Sequence, residues 1–167
     1  MEKAAIVSVL ALCVIGFGSG FHVSYDDCGG ADALSKLVFV DVDPCINQPD
    51  PCSLKKGTEE TIQVQFVPKV NITSAKTVVH ADLDRGVQIR GGSKSAVTPA
   101  PFPVDEPDAC KGQGLDCPLL AGKTYTFKTH LPIKSMYPAI QVVVKWELHD
   151  QDDKVVYCWQ IPARIVN

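Results

Sequence analysis

The stretch 141-QVVVKWELH-149 reads as an extended strand with one dry face and one wet one. Val142, Val144, Trp146 and Leu148 fall at every second position, with Lys145 and Glu147 between them. Side chains of an extended chain alternate sides, so this spacing gathers the four apolar groups on one surface. The same period recurs in 61-TIQVQFV-67, where Ile62, Val64 and Phe66 oppose Gln63 and Gln65. It recurs in 124-TYTFKTH-130, with Tyr125 and Phe127 on one side, and in 155-VVYCWQI-161, with Val155, Tyr157, Trp159 and Ile161. Two further candidates are 36-KLVFVDV-42 and 76-KTVVHADL-83. Pro44, 47-NQPDP-51, Gly57, Gly122 and the polar turn at 150–153 separate these runs.

Beyond the first twenty residues no segment carries sustained helical spacing. Six or seven strands in a chain of 167 residues predict one all-β domain, an immunoglobulin-like antiparallel β-sandwich. Residues 1–20, MEKAAIVSVLALCVIGFGSG, read as a secretory signal: Lys3, an apolar run to about Phe17, then small residues. That run is shorter than the roughly 20 residues a spanning helix needs. The domain is therefore expected over 21–167, in a secreted protein. Without Cys13 of the leader six cysteines remain, Cys28, Cys45, Cys52, Cys110, Cys117 and Cys158, and in an oxidising compartment they read as three disulfides. The seven-residue intervals favour local bridges 45–52 and 110–117, although the residues alone leave the pairing open. The formal charge of −3 gives no basic footprint for nucleic acid.

The segment 99-PAPFPVDEP-107 holds four prolines around Phe102. Proline lacks a backbone donor and has a fixed φ, which excludes both a helix and a central strand there. Before it, 84–98 is polar, with Gly86, Gly91 and Gly92 and the cations Arg85, Arg90 and Lys94; it reads as a surface loop.

The residues that carry chemistry are sparse. His22, His80, His130 and His149 show no metal-ligand spacing, and no nucleophile motif is present. Asp150, Asp152 and Asp153 lack the ligand pattern of a calcium loop and read as a solvated turn. Asn71-Ile72-Thr73 is a glycosylation sequon. The inward strand faces read as apolar and free of charge. This argues for binding rather than catalysis, with no cofactor and no metal, and for a neutral apolar ligand.

In order along the chain, 26-DDCGG-30, 44-PCINQPDPC-52, 78-VVH-80, 101-PFPVDEPDACK-111, 115-LDCP-118, 123-KTYTF-127, 131-LPIKSMYP-138, 143-VVKWELHD-150 and 158-CWQIPARIV-166 resemble the ML lipid-recognition domain family and its sterol carriers. The resemblance implies a sandwich with an apolar tunnel between its sheets and disulfides Cys28–Cys158, Cys45–Cys52 and Cys110–Cys117. It implies lipid contacts at Phe102, Ile133, Tyr137 and Pro138 around the mouth, with Val42, Trp146 and Trp159 deeper or in the wall. His80, Asp108 and Lys111 fall at positions of the family's transfer surface near the mouth. The implied function is non-enzymatic carriage of a sterol or similar apolar lipid by a monomer, secreted or in the lysosomal lumen. Delivery would be to a membrane-bound sterol transporter or a lipid membrane surface. A receptor-docking lipid sensor and a carrier of fatty acids or semiochemicals are the family's other uses. One departure stands out: the interval from His80 to Pro101 is longer and more polar than the family's short apolar turn.

Overall fold

The computed structural model describes residues 23–45, 51–83 and 100–167. The expected leader at 1–20 and the polar loop at 84–98 lie outside the described residues. The strands are β1 (Asp26–Asp27), β2 (Ser35–Asp43), β3 (Cys52–Lys55), β4 (Glu59–Pro68), β5 (Ala75–Leu83), β6 (Ala100–Phe102), β7 (Tyr125–Pro132), β8 (Gln141–Asp150) and β9 (Val155–Val166). They form two layers. The larger sheet runs β1-β9-β8-β5-β6, with β3 beside the C-terminal part of β9; the smaller runs β2-β4-β7. Every pairing is antiparallel except β3 with β9. The all-β, immunoglobulin-like sandwich expected from the alternation is the observed fold.

The period-two faces decide the core. Ile62, Val64 and Phe66 of β4, Phe127 of β7, Val142, Val144, Trp146 and Leu148 of β8, and Tyr157, Trp159 and Ile161 of β9 are all buried between the layers. Trp146 and Trp159 pair in register and their rings stack at 5.7 Å, 6° from parallel. Across the layers Phe66 meets Tyr157 edge-on at 5.0 Å, and Phe127 meets Trp146 at 6.2 Å. Aromatic pairs in such tilted or offset geometries add about 0.5–1.5 kcal/mol each beyond area burial.

β9 continues five residues past the Ile161 at which the alternation was read to stop. Pro162 does not end it, because β1 reaches only Gln160 and β3 starts at Ala163. The proline falls in the gap between two partners, where no ladder on that side needs its missing N–H. β1, β3 and β6, of two to four residues, are strands only through the partners they find.

The disulfides are Cys28–Cys158, Cys45–Cys52 and Cys110–Cys117, with Cα separations of 4.9, 5.3 and 5.6 Å. All lie within the usual span for a bridge. The first joins the residue after β1 to β9 of the larger sheet. The second ties the chain leaving β2 of the smaller sheet to β3 of the larger. The third closes the loop between β6 and β7.

Candidate functional site: an apolar mouth at one end of the sandwich

The proline-rich segment supplies one side of the site. Ala100, Pro101 and Phe102 pair with Ala81, His80 and Val79 of β5, so β6 is the edge strand of its sheet. Proline is tolerated there because one side of an edge strand needs no donor. The other side comes from the chain between β7 and β8. Gly57 N–H donates to the Ile133 carbonyl at 2.6 Å, and Ile133 N–H donates to the Thr58 carbonyl at 2.9 Å. A turn closed by Tyr137 N–H on the Lys134 carbonyl at 3.1 Å follows, and the Ile140 carbonyl accepts from Ile165 N–H at 2.9 Å. This path brings Tyr137 to Phe102, ring centroids 5.2 Å apart.

Phe102, Tyr137, Pro138, Ile140, Val142 and Ile165 are among the walls of a cavity of about 300 Å³. The lining is carbon-rich, and the Tyr137 hydroxyl is buried with no hydrogen-bond partner among the described residues. Burial, with the nearby Asp105 charge second, pushes the Tyr137 phenol above its ordinary pKa, so it stays a neutral hydroxyl. A larger open groove, about 660 Å³, lies elsewhere and is walled by Glu59, Asp105, Lys111, Lys128 and His130 among others. Its charged rim suits apolar cargo poorly.

The residues singled out from sequence separate into three groups. Phe102, Tyr137 and Pro138 meet on the mouth cavity. Ile133, Val42, Trp146 and Trp159 are fully buried in the core cluster, Val42 paired with Ile62 and the tryptophans stacked between the sheets. His80, Asp108 and Lys111 are not one cluster. His80 stands opposite Pro101 at the mouth, with its Nδ1 3.9 Å from Glu147 Oε2. Glu147 is buried and also receives Lys145 at 3.0 Å and His149 at 3.8 Å. Asp108 and Lys111 pair at 2.8 Å, and this pairing lowers the carboxyl's pKa and raises the amine's. Asp108 bridges Lys76, four residues along β5 from His80, roughly 13 Å at strand rise. Lys111 also walls the charged groove with Glu59 and Asp105, so the pair lies on the flank and outside the apolar lining.

Asn71 is exposed at the end remote from the mouth. Its Oδ1 accepts from Ala121 N–H at 2.9 Å, and Ile72 bridges Leu119. Thr73 Oγ1 donates to Gln151 Oε1 at 3.1 Å.

The inner faces are not free of charge, as the sequence reading held. β4 begins at Glu59, so its inward set is Glu60, Ile62, Val64 and Phe66. Glu60 is 1% exposed. The quoted window began at Thr61; carrying its alternation back two positions puts this carboxyl on the dry side. Burial raises its pKa, and the charge of Asp43 adds to the effect.

Three disulfides, a two-layer sandwich and a carbon-lined cavity at one end of it are the features that place the chain among known proteins. The chain belongs to the ML domain family: the family's model matches residues 22–165. Relatives named NPC intracellular cholesterol transporter 2 include one from Danio rerio, 38% identical with 97% of each chain covered. A Drosophila melanogaster relative, named homolog a of that transporter, is 33% identical over 99% of each chain. An ecdysteroid-regulated 16 kDa protein of Manduca sexta is 38% identical, covering 84% of this chain and 87% of its own. The crystal structure of a Niemann-Pick type C2 protein from the Japanese carpenter ant shares the fold, with a TM-score of 0.73 at 23% identity over 86% of this chain and 100% of that one.

Proposed function

We propose that the protein is a non-enzymatic carrier that takes a sterol or similarly apolar lipid into the space between its sheets and hands it on. The observation that carries this reading is the apolar cavity framed by Phe102 and Tyr137 at one end of the sandwich. The family membership and the relatives named as cholesterol transporters support it. A secreted protein acting outside the cell or in the lysosomal lumen fits three disulfides, which persist in oxidising compartments.

The cavity of about 300 Å³ lies at the lower end of ligand sites, which run roughly 300–1,000 Å³. A sterol's ring system therefore enters by parting the layers behind Phe102, toward Trp146 and Trp159. Covering about 400 Å² of apolar surface returns roughly 10 kcal/mol gross at about 25 cal/mol per Å². Association and widening cost several kcal/mol of this, leaving micromolar to nanomolar affinity. Such a complex holds its cargo and still releases it. Delivery to a membrane or a membrane-bound transporter would use the mouth rim, with His80 beside it. A glycan on Asn71, at the far end, would leave that rim clear.

Titration of the oxidised, secreted protein with a fluorescent sterol tests the reading, alongside mass spectrometry of co-purifying lipids. Saturable one-to-one uptake supports a carrier. Absence of uptake of any sterol or fatty acid overturns it.

A further inference from the structure

Glu60 is out of keeping with its surroundings. It shares the inner face of β4 with Ile62 and Val64, pairs in register with Leu131 of β7, and is 1% exposed. Its Oε2 has no hydrogen-bond partner among the described residues. Asp82 also holds an orphan carboxylate oxygen, but Asp82 is only partly buried. A buried carboxylate oxygen without a partner is costly, and such groups persist where something else meets them.

The topology fixes the end at which Glu60 sits. β4 starts there, directly after the Gly57–Ile133 and Ile133–Thr58 hydrogen bonds that anchor the chain leading to Tyr137. The larger sheet presents Val142, at the start of β8, and Ile165, at the end of β9, at that same end, and both line the mouth cavity. Glu60 is thus the carboxyl of the smaller sheet's inner face at the mouth end. The Tyr137 hydroxyl, in the cavity lining, and Asp82 Oδ1 are other orphan polar atoms described at that end.

We infer that Glu60 selects cargo by its head: it accepts a hydrogen bond from a neutral hydroxyl-bearing lipid and disfavours a lipid carboxylate. This rests on the carrier reading above and narrows its ligand class. A hydroxyl can donate to the Glu60 carboxylate and so satisfy its orphan oxygen. A fatty-acid carboxylate has no proton to donate, and it brings a like charge next to Glu60 and Asp43. An apolar head leaves Glu60 Oε2 without a partner. The order expected is hydroxyl first, with carboxylate and bare hydrocarbon both behind.

The test is competition against a bound fluorescent sterol, at one neutral pH, using cholesterol, its analogue lacking the 3-hydroxyl, and oleate. Wild type should prefer cholesterol over the deoxy analogue by about tenfold or more, as expected for a hydrogen bond to a charged group. Glu60→Leu should collapse that ratio toward one while leaving the deoxy analogue bound at least as well. Glu60→Gln, which keeps an acceptor and the shape, should retain the hydroxyl preference and bind oleate severalfold better than wild type. It carries the test alone if Glu60→Leu fails to fold by circular dichroism. A ratio within twofold of wild type in Glu60→Leu, or oleate binding unchanged in Glu60→Gln, overturns the inference while sterol carriage stands. No sterol uptake by wild type removes both.

Discussion

Replacing Phe102 with alanine should loosen the lipid far more than it loosens the fold. The ring is half-buried on a three-residue edge strand, and the described aromatic contact it makes is with Tyr137 at 5.2 Å. Losing that pair costs about 0.5–1.5 kcal/mol of stability. Phe127 is the proper comparison: it is fully buried against Trp146, and such a phenylalanine costs about 3–5 kcal/mol when cut to alanine. Cargo at the mouth would cover the ring's remaining exposed part, on the order of 50 Å², worth roughly 1.3 kcal/mol or tenfold in Kd. Urea unfolding and fluorescent-sterol titration of wild type, Phe102→Ala and Phe127→Ala separate the two roles. The expected result is a tenfold weaker Kd for Phe102→Ala with a stability loss well below that of Phe127→Ala. Two outcomes refute the reasoning. An unchanged Kd means the ring does not meet the lipid. A stability loss matching Phe127→Ala means the ring pins the core and is no gate.

The disulfides should differ in worth with the loops they close. At a separation of 130 residues, Cys28–Cys158 stabilises by about 5 kcal/mol in the chain-entropy model, against about 2.4 kcal/mol for Cys110–Cys117 at a separation of 7. Paired cysteine-to-alanine variants compared by chemical denaturation should show that twofold contrast, and equal losses would count against it. Gly114→Ala should cost about 1–3 kcal/mol, because φ is +78° and the new Cβ would sit 2.8 Å from the Thr126 carbonyl oxygen. Gly122→Ala, at φ +77° with open space around it, should cost less, and a reversed order in thermal melts contradicts the contact argument. Asp153 accepts a 2.9 Å hydrogen bond from His149, which holds its carboxyl below the ordinary pKa. A depressed carboxyl favours the folded state above its unfolded pKa, and this contribution is lost as pH falls through the folded value. In carbon-detected NMR titration His149→Ala should move Asp153 upward; an unmoved midpoint assigns the shift to another cause.

Most of the fold was legible because six strands carry the period-two signature over seven or more residues, and burying one face of each leaves few arrangements. The short strands were not legible. Cys52–Lys55 has too few residues to show a period, and it is a strand because Ala163 to Val166 offer it a parallel partner. The run of β9 past Ile161 was not legible, because proline is normally excluded from a central strand and only the tertiary gap between β1 and β3 lifts that restriction. At the site, the rings of Phe102 and Tyr137 were accessible through family resemblance, whereas their mutual contact is a product of the fold. Glu60 was missed for a local reason: a strand was read only where its residues were of strand type, and the glutamates at 59 and 60 are not.

The two ends of the sandwich differ in what holds the layers together, and the difference bears on how cargo could enter a nearly filled core. At the end away from the mouth, Leu34 N–H donates to the Val155 carbonyl at 2.9 Å, and Ser35 Oγ donates to the Val156 carbonyl at 2.8 Å. These bonds join the start of β2 in the smaller sheet to the start of β9 in the larger. The Phe66–Tyr157 contact lies behind them. Parting the layers there breaks buried hydrogen bonds, each worth about 1 kcal/mol net and more when a partner is left unmade. At the mouth no such bond between the layers is described among the lining residues, and Phe102, Tyr137, Ile140, Val142 and Ile165 surround a cavity instead. Widening that end exchanges protein–protein dispersion for protein–lipid dispersion, which is close to neutral. The Cys45–Cys52 bridge holds the β2–β3 flank at fixed distance, while Cys110–Cys117 closes only its own loop on the other flank. On the carrier reading, opening would hinge about the bridged flank and the bonded far end. Stiffness placed there and softness placed at Phe102 would then let a lipid enter without the sandwich coming apart.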